Sequence, residues 1–169
     1  MVRKSKYKWL FSFLAHQIPF LSSFFILVFS FALPPIFNTK SVLVLIPIFY
    51  WGIEKNTSFD FIFVMLFGFI QDLLDGTQFG FNMFIFLSIY FLAFYQKFFP
   101  LDASFAFSYL AFSLLSLIAL LLKYTVISSI FVVNINFFSV IISWAVLILF
   151  YPIFYYILQK LNYKIVRKY

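Results

Sequence analysis

The sequence predicts an all-α membrane protein: a compact bundle of six transmembrane helices. Three observations carry that prediction. Hydrophobic residues make up 65% of the 169-residue chain and charged residues 10%, with a mean hydropathy of +1.07, whereas soluble domains carry roughly 25% charge. A water-soluble fold of this size exposes too much of its area to hide so much apolar surface. The apolar residues also fall into runs separated by short polar or proline-bearing breaks, and the net charge of +7 gathers at the two ends of the chain. Basic ends fit the positive-inside rule better than nucleic-acid binding.

The elements follow in chain order. After Arg3, Lys4, Lys6 and Lys8 comes an apolar run from Trp9 to Leu33. It is too long for a signal-peptide core and no small-x-small cleavage site follows it, so it reads as a first spanning helix (9–33) closed by Pro34-Pro35. The second span (41–53) is short for a full crossing, and Pro47, little tilt or a locally thinned bilayer could accommodate it. The third (59–74) begins near Asp60 and ends in Asp72-Leu-Leu-Asp75-Gly76. The fourth (81–95) stops at Gln96, Lys97 and Pro100. The fifth (104–122) ends at Lys123, and the apolar stretch from Tyr124 to Val133 either extends it or forms a re-entrant or interfacial segment. The sixth (137–158) leads into Lys160, Lys164, Arg167 and Lys168. The whole chain, 1–169, reads as one transmembrane domain.

Composition excludes several chemistries. With no cysteine, disulfides, thiol catalysis and Cys-ligated metals are ruled out. The single His and five acidic residues form no metal-like spacing, and no nucleophile–base pair or phosphate loop appears. An enzyme is not expected, nor is a cofactor. The thirty Phe and eleven Tyr read as lipid-facing and core filler.

One stretch stands out: Gly68-Phe-Ile-Gln-Asp72-Leu-Leu-Asp75-Gly76-Thr-Gln-Phe-Gly80, which holds three of the four glycines. Gly68 and Asp72 are four apart and share a helix face, with Asp75 close to it. A small residue beside a carboxylate marks a face packed on another helix rather than on lipid. Asp72 then reads in two ways. It is an anchor for the bundle, a partner or a ligand, or else Asp72 and Asp75 mark the membrane exit with Gly76 capping the helix. A carboxylate at a helix C-terminus opposes the macrodipole, so Asp72 needs donors from the Gly76–Gly80 turn or a cation such as Lys123. His16-Gln17 in the first span reads as interhelical hydrogen bonding or as a relay.

These residues resemble the MreD family of bacterial rod shape-determining membrane proteins. The resemblance rests on Tyr50-Trp51 closing a short second span, on the Gly68-x3-Asp72-x3-Gly76-x3-Gly80 array, on Tyr90 in the fourth span, and on Tyr151-Pro152 before a basic tail. The layout agrees over nearly the whole chain and the motif over about a quarter of it. The chain departs from the family at Asp60-Phe61, where many members carry a glycine, and at Phe81-Asn82, where many have a basic or small residue. The resemblance implies a non-enzymatic component of the elongation machinery in the inner membrane. Such a component binds MreC and works with MreB, RodA and its transpeptidase partner in side-wall peptidoglycan synthesis. It also implies a fold similar to the vitamin-binding subunits of energy-coupling-factor transporters. The competing reading is such a transporter subunit, which needs a polar pocket opening outward. The candidates for packing or partner binding are Gly68, Asp72, Asp75, Gly76, Gly80 and His16.

Orientation follows from the basic residues. With six spans and a cytoplasmic N-terminus, the inner side holds Arg3, Lys4, Lys6, Lys8, Lys55, Lys97, Lys160, Lys164, Arg167 and Lys168. The outer side holds only Lys40 and Lys123 of the chain's twelve Lys and Arg. Reporter fusions at residue 169 and beyond Lys123 are therefore expected on opposite sides of the membrane. A C-terminus found outside would overturn the six-span topology.

Overall fold

In hydrocarbon, backbone N–H and C=O groups find partners only inside the protein, and a helix satisfies them within one segment. The computed structural model describes residues 3–32, 42–54, 59–96, 104–131 and 137–163; the side chains of residues 3–16, 127, 130 and 131 lie outside the described set. Among the described residues there are six helices and no strand: α1 (Arg3–Ala32), α2 (Leu45–Ile53), α3 (Phe61–Asp75), α4 (Phe81–Gln96), α5 (Phe105–Phe131) and α6 (Phe137–Leu161). Two stretches, Phe105–Val126 and Phe137–Leu161, are long and apolar enough to cross a membrane on their own.

The second element differs most from its expected span of 41–53. Residues 42–44 form turns and α2 has nine residues, a rise of only about 14 Å, against a hydrocarbon core of roughly 30 Å. Its surroundings explain why so short a helix persists. Every residue from Leu45 to Gly52 is buried, and α2 touches α1, α4, α5 and α6. A helix apolar on all sides belongs in a core. Here Phe49 packs on Phe112 of α5 and Tyr151 of α6, with ring centroids 5.2 and 6.3 Å away. Trp51 is fully buried and its indole N–H donates to Ser22 Oγ on α1 at 3.0 Å.

The fifth element is longer than its expected end at Leu122. The helix runs on to Phe131, so within its described part the stretch beyond Lys123 is a continuation of α5. Ser128 and Ser129 do not interrupt it, because their hydroxyls donate back to the Thr125 and Val126 carbonyls at 2.9 and 2.8 Å, as Ser does inside membrane helices. Pro19 and Pro152 likewise lie inside α1 and α6. Ser22 and Ser23 hydroxyls both donate to the Pro19 carbonyl, at 3.1 and 2.7 Å.

Polarity is distributed inside-out, as lipid requires. Leu110, Leu114 and Ile118 line the exposed face of α5, with Phe138, Ile141 and Leu149 on that of α6. The buried positions include Ser23, Ser30, Gln71, Asp72, Asn82, Ser116 and Ser143. Hydrogen bonds tie the seams: Trp144 indole N–H donates to the Ser113 carbonyl at 3.0 Å, and Tyr90 hydroxyl to the Phe59 carbonyl at 2.7 Å.

Gly52 sets the distance between α2 and α4. A Cβ there would lie 2.8 Å from Ala93 Cβ and 3.5 Å from the Tyr90 carbonyl oxygen. Gly52→Val is expected to force the two helices apart, with the destabilisation of about 1–3 kcal/mol that overpacking brings. Thermal unfolding in detergent measures it, with exposed Leu110→Val as a control that shifts little. Equal melting of the two variants would show that this contact is not a close one.

Candidate functional site

The α3–α4 hairpin holds the polar residues of the glycine array. On α3 the buried positions are Val64, Phe67, Gly68, Gln71 and Asp72, the i, i+3, i+4, i+7, i+8 spacing of one helix face. That face meets α4. A Cβ on Gly68 would lie 2.7 Å from the Met83 nitrogen and closer still to its Cα, so backbone faces backbone there and glycine is what the contact admits. One turn later, Asp72 is 1% exposed.

The helix ends at Gly76, whose φ of 64° is left-handed, a conformation that favours glycine at this capping position. The Asp72 carbonyl accepts the N–H of Gly76 and that of Thr77, the latter at 3.1 Å. The chain then turns through Gly80, φ 93°, into α4. The Asp72 carboxylate faces this turn. One oxygen, Oδ1, accepts the Thr77 hydroxyl at 3.0 Å and the Asn82 backbone N–H at 2.8 Å. The other, Oδ2, accepts the Gly80 N–H at 2.8 Å. A carboxylate near the C-terminal end of α3 therefore sits against the N-terminal end of α4, where N–H groups lack intrahelical partners and the dipole favours negative charge. That answers the unfavourable dipole of its own helix.

Asp75 completes the cluster. Its Oδ2 is 2.9 Å from Lys123 Nζ on α5, with both side chains about one-seventh exposed. Its Oδ1 accepts Gln71 Nε2 at 2.9 Å. Asn82 Nδ2 donates to Thr77 Oγ1 at 3.1 Å and reaches Asp75 Oδ2 at 3.4 Å. Gln71 Oε1 is buried without a hydrogen-bond partner. The cation considered from the sequence for Asp72 thus pairs with Asp75, and Asp72 is held by turn donors.

The structure gathers Gly68, Asp72, Asp75, Gly76 and Gly80 into one hairpin. His16 lies in α1, and its side chain is outside the described residues. Sequence reasoning missed Asn82, which appeared only as a departure from the family pattern, and Gly52. A signal existed for each: Asn82 is a lone amide opening an apolar run just after a glycine, and Gly52 is a small residue inside a short apolar helix. Among the described residues, no group of three or more His, Asp or Glu side chains could hold a metal ion. The arrangement is suited to holding helix ends together.

A family model described as rod shape-determining protein MreD matches residues 4–161. No curated protein and no solved structure matches the chain.

Because Asp72 receives three donors, its two usual replacements are expected to differ. Asp72→Asn puts an NH2 group where one oxygen accepted an N–H, so about one hydrogen bond is lost at roughly 1–3 kcal/mol. Asp72→Ala removes all three acceptor contacts and leaves two backbone N–H groups unpaired, which is expected to cost more. Thermal unfolding and membrane abundance measure both, and equal stability of Ala, Asn and wild type would show that the carboxylate does not hold the turn.

Proposed function

The chain belongs to the MreD family of rod shape-determining proteins, the match running over nearly its whole length, and on that premise we propose that it is a non-enzymatic, multi-pass component of the cell-elongation machinery that binds MreC. The family match is the observation that carries this reading. In the proposal the protein lies in the bacterial inner membrane with both termini cytoplasmic. It supports side-wall peptidoglycan synthesis beside MreB, RodA and the RodA-associated transpeptidase, directly or through MreC.

The geometry adds a way of working. In the proposed topology the α3–α4 turn faces outward. Gln78 and Phe79 are exposed at its tip, Phe79 at 72%, while Asp72 lies behind them. We place the MreC contact on this tip, with Asp72 acting on it through the shape of the turn. The competing transporter reading needs polar groups free to meet a vitamin. The carboxylates of this hairpin are engaged with Thr77, Gly80, Asn82, Gln71 and Lys123, which favours assembly.

Co-purification of the tagged full chain with MreC in mild detergent tests the proposal. The wild-type chain is expected to retain MreC and to support rod shape in cells depleted of their own copy. Phe79→Ser, at an exposed position, is expected to weaken retention at normal abundance. Failure of the wild-type chain to hold MreC, with rod shape preserved in its absence, would overturn the assembly reading.

A further inference from the structure

α1 and α6 make an aromatic contact and flank a groove next to it. Phe29 and Phe154 meet edge to face with ring centroids 6.1 Å apart. Below them a groove of about 380 Å³ opens between the two helices and extends to Ile18 and Leu161. Its lining is apolar except for Ser22, whose hydroxyl is engaged with the Pro19 carbonyl and the Trp51 indole. Trp51 behind it is fully buried, so the floor is backed by the core helix α2. Leu21, Phe25 and Ile157 are exposed and form the rims.

The lining decides what fits. From Ile18 to Ile26 the groove follows α1 for a rise of about 12 Å, and its walls are aliphatic and aromatic side chains. A single hydrocarbon chain lying along it is in contact with them over that length. Charge decides the headgroup. Lys160 is exposed in the last turn of α6, beside Leu161 at the open end of the groove and three residues from rim residue Ile157, hence on the same side of the helix. Its long stem lets the ammonium reach the headgroup level. α1 continues past the groove to Arg3, carrying Lys4, Lys6 and Lys8.

We propose that the groove between α1 and α6 is a binding site for one acyl chain of an anionic phospholipid, whose headgroup phosphate is met by Lys160. Seated there, the chain fills the gap beside the Phe29–Phe154 contact and bridges α1 and α6 across the groove. The site lies apart from the α3–α4 hairpin and does not depend on MreC.

The test uses the full chain in lipid nanodiscs with phosphatidylglycerol carrying a photoreactive group in its acyl chain. Adducts are expected to concentrate on residues 18–26 and 154–161. Excess unlabelled phosphatidylglycerol is expected to compete them away, and phosphatidylcholine to compete poorly. Lys160→Gln changes an exposed side chain and leaves the packing intact. It is expected to reduce the preference for phosphatidylglycerol about fivefold, the ratio associated with one basic residue at an anionic surface. Three outcomes overturn the proposal: adducts spread evenly over lipid-facing Leu110, Leu114 and Leu149; equal competition by both lipids; or adducts joining the groove to a second copy of the chain.

Discussion

A carboxylate bridging two helix ends organises the hairpin from which the candidate site is built. Each helix end presents up to four backbone groups without intrahelical partners, and in a lipid solvent water does not supply them. Asp72 resolves both sides of the α3–α4 junction with one residue. Its backbone carbonyl takes the N–H groups that end α3, and its side chain takes N–H groups at the start of α4. Gly76 and Gly80 supply the left-handed geometry that lets the chain come round. Gly68, one turn before, lets the two backbones run close enough for the carboxylate to reach. The spacing of the array therefore has one geometric meaning: close approach, anchor, stop, return.

That meaning also shows why the two readings of Asp72 were difficult to separate from sequence. A residue that marks a membrane exit and a residue that anchors a bundle are expected to look alike when anchoring consists of making the exit. What the sequence could not display was the recipient of the charge. Lys123 is a cation that the topology places on the same side, so pairing with Asp72 was a reasonable expectation. The structure gives Lys123 to Asp75, while turn donors hold both oxygens of Asp72. Asn82 escaped notice because its role depends on a fold-back ten residues from Asp72, which periodicity does not reveal.

The helices themselves were legible where apolar runs were bounded by polar or proline breaks. α3 and α4 begin and end within about two residues of the expected limits, since Asp60, Gly76, Gly80 and Gln96 punctuate them. The reading was less accurate where punctuation was weak or the element was not lipid-facing. Lys123 looked like a stop and is not one, because its ammonium turns to Asp75 and the helix continues through serines bonded to their own backbone. α2 looked like a poor span because hydropathy reports transfer from water and does not distinguish a neighbour helix from lipid. Its burial on all sides is a property of the assembled bundle, in which a nine-residue segment is surrounded by α1, α4, α5 and α6.

The Asp75–Lys123 pair then has a part distinct from that of Asp72. A mostly buried ion pair gains little net stability, because desolvating two charges offsets much of their attraction. Its contribution is better sought in selectivity. The chain has five acidic residues; the carboxylate of Asp72 is turned to its own hairpin turn, and Asp75 is the acceptor that meets Lys123. A lysine set in the apolar length of α5 has strong reason to find it, since an uncompensated charge there is costly. Sliding α5 by one helical turn displaces Lys123 by about 5.4 Å and breaks the contact, while Leu110, Leu114 and Ile118 would find lipid much as before. The lipid-facing residues do not fix the depth of α5; the ion pair contributes to it together with the packing of Phe112 on Phe49 and Tyr151 and the Trp144–Ser113 hydrogen bond. Asp72 closes one hairpin, and Asp75 ties a separate helix to it.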